Sequence, residues 1–395
     1  MDKENKNPNV PNLRFNYAGN WTINTLDEIC DFYKGNGLSK SDLSSEGRPC
    51  ILYGELYTSY KKEIIDSIIS KTDTMLSKPF ISQKNDVIIP GSGEDPIDIA
   101  VARAIENDGI ILGGDLNILR LHPKYSGAFL SYQLNGKRRY EIAKKAQGKS
   151  IVHLHNSDLK DIKVFMPQYD EQLKIINLLK HIDKRIELQN KIIEDYTLLK
   201  NSIMHKLFTM DNPKVKLRTL LTEINNKNKD KQIDTVLSVS NKLGFVKQSE
   251  QFEDREVASD DTSNYKIVNN GDYAYNPARI NVGSIARLIN YDKGIISPMY
   301  SCFRINEEKV TGTYFDMFLS SSSFKMQLNK KLEGSVRQCL TFEGMLSMDI
   351  ELPSIEIQKS ISNKIDMLNN KIKIETDYCN LLLKQKQFLL SNMFI

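Results

Sequence analysis

Two histidines are the first residues in this sequence whose types and spacing could do chemistry. His153 and His155 stand two residues apart in "IVHLH", and on a strand both side chains would lie on one face and could share a metal ion. No acidic or cysteine ligand recurs beside them, and a later copy of this segment carries Cys339 and Thr341 at the two positions. A structural or surface role is therefore favoured, and the sequence predicts no metal site.

Two turns resemble cofactor or catalytic motifs only in part. "PGSGEDP" at 90–96 contains a lone GxG, and no GxxxxGK[ST] loop or GxSxG elbow occurs. "NPAR" at 276–279 shares its first two letters with the NPP[YF] motif of amino-methyltransferases but lacks the aromatic residue that stacks on a flipped base. The sequence therefore predicts no catalytic residue.

Composition limits the class of protein. The length of 395 residues suggests two or three domains, and 40% hydrophobic residues without an apolar run near ~20 residues predict a soluble globular protein. The polar start "MDKENKNPNVPN" lacks the apolar region of a signal peptide, so a cytoplasmic location is expected. Five cysteines without a CxxC pair argue against a disulfide framework or a zinc ribbon. The net charge of +4 does not by itself indicate a nucleic-acid partner.

The chain repeats itself at an offset of 186 residues. "KKAQGKSIVHLHNSDLKDIKVFMP" at 144–167 returns loosely as "KKLEGSVRQCLTFEGMLSMDIELP" at 330–353, and Gln172 maps to Gln358. A period this long is that of a duplicated domain rather than of a solenoid. Short β-rich runs separated by Gly, Asn and Ser predict that each copy begins with an α+β globular part.

A long helix is predicted after each globular part. Residues 171–208 and 357–394 contain no Gly or Pro, and a 4-3 spacing finds apolar residues at eight of ten seam positions in each. At ~1.5 Å per residue each helix would be roughly 55 Å long. Because only a short linker joins the first helix to the second globular part, the two helices are expected to pair antiparallel as a coiled coil.

The polar seam residues suggest a register for that pair. If facing residues have numbers that sum to 575, Lys200 lies opposite Glu375, and Gln189 lies opposite Lys386. Polar groups would then meet polar groups within the apolar seam. In this hypothesis the helices are a spacer that holds two similar globular parts at its opposite ends.

These patterns predict an α+β fold with an internal pseudo-two-fold repeat, in which two similar α/β domains are separated by the antiparallel coiled coil. Four segments make up the prediction, two globular and two helical. They are 1–166 for the first globular domain, 167–208 for the central helix, 209–352 for the second globular domain and 353–395 for the C-terminal helix.

On these features the chain resembles a specificity (S) subunit of a type I restriction-modification system. The resemblance rests on "LRFNYAGNWTINTLDEI" near the start, "KGNGLSKSDL" and "GRPCILYGELYT" after it, "GKS" and "GSVRQ" before the helices, and helix ends "KLF" and "NMF". It covers essentially the whole chain, and the duplicated architecture is its most specific part. The second helix opens with "EIQ" where the first has "EQ", a change that leaves the helix start intact.

The resemblance implies that the globular domains are target-recognition domains, each reading one half of a split sequence in double-stranded DNA. It also implies that the helices dock two modification (methyltransferase) subunits, and that restriction (endonuclease and translocase) subunits join the complex. S-adenosylmethionine, ATP and Mg would belong to those partners, with no cofactor and no catalysis in this chain. A single-chain DNA-modifying enzyme and a coiled-coil protein-interaction scaffold remain the alternatives.

Candidate DNA contacts are of two kinds, because phosphate contacts position a protein and base-edge contacts specify sequence. The turns "QGKS" at 147–150 and "GSVR" at 334–337 could approach a phosphate, although a helix-ending glycine is the preferred interpretation. The phosphate candidates are Lys137, Arg138, Arg139, Lys144, Lys145, Lys149, Lys325, Lys330, Lys331 and Arg337. The candidate base readers are Lys34, Lys40, Tyr57 and Ser92 in the first domain, and Asn276, Arg279, Asn281 and Arg337 in the second.

Overall fold

The chain was described with a computed structural model, which gives residues 9–207, 212–241, 243–251, 261–334 and 338–395. Their contacts divide them into two units. Unit 1 consists of the described residues up to Lys191 together with Thr376–Ile395, and unit 2 consists of the described residues from Ile192 to Glu375. Each of the two longest helices therefore contributes residues to both units.

Unit 1 is built from short strands and one-turn to three-turn helices before its long helix. Its strands are β1 (Thr22–Thr25), β2 (Cys30–Lys34), β3 (Arg48–Ile51), β4 (Ile64–Ile65), β5 (Ser70–Thr72), β6 (Val87–Pro90), β7 (Ser92–Gly93), β8 (Arg103–Ile105), β9 (Ile111–Leu112), β10 (Leu116–Leu121), β11 (Gln147–Gly148), β12 (Val152–His153) and β13 (Lys163–Met166). Its helices are α1 (Leu26–Ile29), α2 (Glu55–Thr58), α3 (Pro96–Ile99), α4 (Gly127–Asn135), α5 (Arg139–Ala143), α6 (Asn156–Leu159) and the first part of α7 (Tyr169–Leu207).

The largest sheet of unit 1 has the strand order β2-β10-β6-β8-β4. All four residues of β6 are buried, which fits a central strand that is covered on both faces. Behind the sheet, the rings of Trp21, Phe129 and Phe394 pack with centroids 5.1 to 6.5 Å apart. Offset edge contacts of this kind stabilise a core beyond the area they bury. They join the N-terminal segment, α4 and the C-terminal residues into one core.

Unit 2 is likewise built from short strands and short helices before a long helix. Two of its sheets have four strands, in the orders β15-β22-β19-β20 and β17-β16-β21-β18. Its strands are β14 (Lys214–Lys216), β15 (Leu221–Ile224), β16 (Val236–Ser240), β17 (Gly244–Lys247), β18 (Lys266–Asn269), β19 (Tyr273–Tyr275), β20 (Ile285–Arg287), β21 (Lys293–Ile296), β22 (Ser301–Ile305) and β23 (Asp349–Glu351). Its helices are α8 (Gln248–Gln251), α9 (Gly312–Ser320), α10 (Ser322–Lys331), α11 (Phe342–Leu346) and the first part of α12 (Ile355–Asn392). Short 3-10 helices cover Lys40–Asp42, Leu217–Thr219 and Ile280–Val282.

Hydrogen bonds that recur in both units confirm the 186-residue repeat. In unit 1 the N–H of Leu154 donates to the carbonyl of Gly91 at 2.9 Å, and in unit 2 the N–H of Leu340 donates to the carbonyl of Pro277 at 3.0 Å. Both the donor and the acceptor move by 186 positions. The two units therefore hold the turn that follows β6 or β19 with the same backbone contact, although the residues in the turns differ.

A buried glutamine fixes the start of each long helix to its globular part. Gln172 donates from Nε2 to the carbonyl of Pro167 at 2.9 Å, and its Oε1 accepts from the N–H of Ser126, the N-cap of α4, at 3.0 Å. Gln358 makes the equivalent two bonds in unit 2, to the proline before α12 and to the N-cap of α9, each at 2.9 Å. The correspondence of these glutamines predicted from the sequence is confirmed.

The two long helices confirm the predicted antiparallel pair. α7 has 39 residues and α12 has 38. In unit 1, Lys386 Nζ lies 2.7 Å from Asp183 Oδ1, and Cys379 Sγ lies 3.4 Å from Asn190 Oδ1. In unit 2, Lys200 donates to the side-chain oxygen of Asn369 at 3.3 Å. None of the described helices is apolar over a stretch long enough to cross a membrane.

The predicted register of the pair is wrong by about one heptad. The contacting residues have numbers that sum to 569 rather than 575, and Glu375 pairs with Lys371 of its own helix. A heptad shift brings equivalent seam positions together again, so the apolar pattern alone does not choose between registers. Lys386 also contacts Glu63 from the globular part of unit 1. Burial lowers the pKa of Lys386, but the carboxylates of Glu63 and Asp183 more than offset it, so that this pKa is raised.

We predict that Asn190→Cys forms a disulfide with Cys379 under mild oxidation, because Cys379 Sγ lies 3.4 Å from the Asn190 side chain. The bond would close a large loop and shift migration in a non-reducing gel. The matched control carries Asn190→Cys with Cys379→Ala and should not shift. Efficient crosslinking of Lys184→Cys, on an earlier turn of α7, with none at position 190 would contradict this register.

Candidate nucleic-acid interface

The turn that follows β6 carries the predicted base reader Ser92, which the fold buries. Ser92 is 5% exposed, pairs with His153 between β7 and β12, and donates its hydroxyl to Asp115 Oδ2 at 3.1 Å. Tyr57 lies half-buried beside the same turn, and burial raises its pKa. Ser92 is therefore engaged within unit 1, whereas Tyr57 keeps part of its surface accessible.

Lys34 and Lys40 lie exposed on unit 1. Lys34 ends β2 and its Nζ lies 3.5 Å from His155 Nδ1, while Lys40 begins a 3-10 turn. The rings of His153 and His155 stack with centroids 6.2 Å apart. Among the described residues, no group of three His, Cys, Asp or Glu side chains is placed to hold a metal ion. Both lysines therefore remain accessible to a phosphate or to a base edge.

The predicted basic segment at 137–149 divides into half-buried arginines and exposed lysines. Arg138 donates to the carbonyl of Ile395 at 3.1 Å and lies 5.0 Å from the ring centre of Phe165. Arg139 donates twice to the carbonyl of Ile97, at 3.0 and 3.3 Å. These contacts tie α5 to the C-terminal residue and to α3, and they occupy donors that a phosphate would otherwise take.

The lysines of the segment are arranged differently. Lys144, Lys145 and Lys149 are exposed, and their side chains make no hydrogen bond or ion pair with the described residues. Gly148, between them, has a φ of +135°, and a Cβ there would clash with the carbonyl oxygen of Ile151. The helix-ending interpretation of this glycine is wrong, because α5 ends before Lys144 and Gly148 belongs to the hairpin of β11 and β12.

The turn that follows β19 brings two predicted base readers, Asn276 and Arg279, to one cavity of unit 2. The cavity measures about 280 Å³, and Met299 and Tyr300 also line it. Asn276 Oδ1 accepts from the N–H of Ala278 at 3.0 Å, and its Nδ2 lies 3.9 Å from Met299 Sδ. Arg279 is exposed, and its guanidinium makes no hydrogen bond or ion pair with the described residues.

The remaining candidates of unit 2 lie apart from this cavity lining. Asn281 is exposed on the neighbouring 3-10 helix, and Lys330 and Lys331 are exposed in the last turn of α10. Lys325, also on α10, is exposed, as is Lys137 in unit 1. Arg337 lies outside the described residues.

Sequence reasoning missed the residues that complete the cavity. Met299, Tyr300, Ser240 and Gln248 line it beside Asn276 and Arg279. They come from the end of β16, from the start of α8 and from the loop before β22. No local pattern marks them, because the parallel pairing of β16 with β21 and the loop that follows β21 bring them together only in the folded unit.

Part of the chain matches a known protein family. Residues 18–195 match the model of the type I restriction modification DNA specificity domain. The chain is similar to type I specificity subunits. It is 22% identical over 391 residues to the MjaVIII type I restriction enzyme specificity subunit of Methanocaldococcus jannaschii, a match that covers 90% of this chain and 87% of the relative.

Solved structures related to the specificity-subunit family share the fold. The S subunit of a type I restriction-modification system from M. genitalium superposes with a TM-score of 0.59 at 18% identity, covering 98% of this chain and 99% of that one. A chain from a structure of type I restriction-modification complex assembly and conformational transition gives a TM-score of 0.57 at 14% identity, covering 94% and 97%. The likeness to both structures is one of fold.

Proposed function

We propose that this chain is the DNA-recognition subunit of a type I restriction-modification complex and that each unit reads one half of a split DNA target. The match of residues 18–195 to the specificity-domain model and the similarity to the MjaVIII specificity subunit support this reading, and they do not favour a single-chain DNA-modifying enzyme or a coiled-coil scaffold. The long helices would keep the two half-sites at a fixed distance, because α7 and α12 are each continuous helices of nearly forty residues.

One comparison between the two units carries the proposal. The same backbone hydrogen bond holds the turn that follows β6 or β19, but the side chains on that turn differ. Gly93 in unit 1 and Arg279 in unit 2 are equivalent, since each stands two residues after the carbonyl that accepts the repeated hydrogen bond. One is a glycine in a closed turn and the other an exposed arginine at a cavity. Two domains with one frame and unlike reading residues suit two unlike half-sites.

Non-specific DNA affinity would come from exposed lysines. Lys144, Lys145 and Lys149 surround one hairpin of unit 1, and none of them has a carboxylate partner among the described residues. Lys330 and Lys331 occupy the segment that corresponds to this region in unit 2. Free lysines of this kind attract phosphates and release counterions on binding. The arginines Arg138 and Arg139 would support the fold of this region rather than contact DNA.

The exposed side of the helix pair supports docking of modification subunits. Met367, Ile374, Leu381 and Phe388 recur every seven residues along α12, and Phe388 is 60% exposed. A seven-residue spacing keeps side chains on one helix face. In unit 1, Arg185 of α7 contacts Tyr378 on the flank of the same helix. An apolar helix face left in water marks a protein interface.

Each unit carries its own part of this apolar face, which supports two modification subunits per chain. Unit 1 contributes Leu381 and Phe388 from α12, and unit 2 contributes Met367 and Ile374 from the same helix. Restriction subunits would join the assembled complex. S-adenosylmethionine would be held by the modification subunits, and ATP and Mg by the restriction subunits, with no catalytic role for this chain.

The proposal is tested by single-molecule sequencing of DNA from a methylation-deficient host that expresses this chain with its modification subunit. We expect methylated adenines in one split motif, with two specified halves and an unspecified gap of constant length. The triple variant Lys144→Ala, Lys145→Ala and Lys149→Ala should retain that motif but bind DNA more weakly. The slope of the logarithm of DNA affinity against the logarithm of salt concentration should become shallower by about one for each phosphate that the variant no longer neutralises.

The control for charge is Lys384→Ala, an exposed lysine on α12 away from the hairpin. It should leave the affinity for duplex DNA and the salt dependence unchanged. Methylation at a continuous motif, or methyl transfer by this chain in the absence of any partner, would contradict the proposed role.

The docking surface is tested by Leu381→Asp combined with Phe388→Asp, two exposed residues of unit 1. A buried apolar anchor replaced by a charge loses at least about tenfold in affinity. Because the change affects one unit only, sedimentation with purified modification subunit should show one bound copy instead of two.

Gln385→Asp combined with Gln387→Asp is the matched control, since it introduces the same two charges at exposed positions between the two substituted residues. It should retain two bound modification subunits. If the double variant still binds two, the apolar face of α12 is not the docking surface.

A further inference from the structure

Equivalent turns in the two units differ in whether a side chain can extend from them. At Gly93 of unit 1 an added Cβ would clash with Ile99 Cγ2, because α3 packs against the turn. The equivalent residue of unit 2, Arg279, stands at the mouth of the 280 Å³ cavity instead. The same backbone frame therefore excludes a reading side chain in unit 1 and presents one in unit 2.

The cavity offers hydrogen-bond donors from two neighbouring residues. Arg279 carries only donors, and its guanidinium makes no hydrogen bond or ion pair with the described residues. The amide oxygen of Asn276 is turned to its own chain, where it accepts from the N–H of Ala278 at 3.0 Å. Among the described residues the amide nitrogen meets the weak acceptor Met299 Sδ, at 3.9 Å. Two sets of donors thus converge on the cavity.

The charge of the cavity lining also favours a group that accepts hydrogen bonds. Among the described residues that line the cavity, Arg279 is charged and none carries a carboxylate. Tyr300 and Met299 supply an aromatic ring and a thioether as walls. A flat group rich in acceptors suits such a lining, because it satisfies the donors and packs against the apolar surfaces.

We propose that Asn276 and Arg279 read a guanine in the half-site recognised by unit 2, an inference that rests on the proposed function. Guanine presents two acceptors, O6 and N7, in the major groove, and an arginine contacts both at once. Adenine places its N6 amino donor where guanine has O6, and cytosine presents an amino donor as well. Either base would set a donor against the donors of Arg279 and Asn276.

The test is single-molecule sequencing of methylated DNA from cells that express the complex with Arg279→Ala, Arg279→Lys or Asn276→Ala. The wild-type motif should contain a guanine in the half-site of unit 2. Arg279→Ala should reduce discrimination against other bases at that position by roughly tenfold or more, and the other half-site should stay unchanged.

Arg279→Lys separates base reading from phosphate binding. Lysine keeps the charge but loses the two-pronged geometry, so discrimination at the guanine should fall while affinity for non-target duplex DNA is retained. Lys309→Ala removes an exposed positive charge elsewhere in unit 2 and should leave the motif intact. An unfolding temperature of the Arg279→Ala variant equal to that of the wild type would show that the unit remains folded.

The outcomes distinguish the inference from the function on which it rests. If the wild-type complex gives no split motif, the proposed function fails. If it gives a split motif but Arg279→Ala leaves the base preference unchanged at every position, the function stands and the assignment of Asn276 and Arg279 is wrong. The same conclusion holds if neither half of the motif contains guanine.

Discussion

One buried glutamine amide in each unit connects the globular part to its long helix. Gln172 joins the proline before α7 to the N-cap of α4, and Gln358 does the same for α12 and α9. Both side chains are almost completely buried, so an unmade bond here would cost about 1 to 3 kcal/mol for each group left without a partner. The direction in which each helix leaves its globular part is thereby fixed. A spacer can set a distance between half-sites only if its ends are held in this way.

Comparison of the two repeated units shows which contacts are retained and which residues differ. Both units retain the buried glutamine at the start of the long helix and the backbone hydrogen bond from Leu154 or Leu340 to the turn. The turn itself has diverged, from a glycine packed under α3 to an exposed arginine at a cavity. In the proposed function, side chains read base edges while backbone groups and buried amides make most of the frame, so the target sequence can change without loss of the fold.

The repeat, the two long helices and their antiparallel sense could be predicted from the sequence, because they depend on patterns that extend over many residues. The register could not, since a heptad pattern is nearly unchanged by a seven-residue shift and Glu63, which pairs with Lys386, is distant in sequence. The site residues were predictable by type only. Arg138 is tied to the C-terminal carbonyl of Ile395 and Ser92 to Asp115, partners that only tertiary structure brings near. The lysines, which need no partner, remain as candidates.

The central claim is that the two units read their half-sites independently of each other. Its most direct test replaces residues 215–352 with the matching segment of another specificity subunit and determines the methylated motif by single-molecule sequencing. The account predicts that one half-site changes to that of the donor protein, while the other half-site and the gap between them are retained. A change in both half-sites, or in neither, would contradict it.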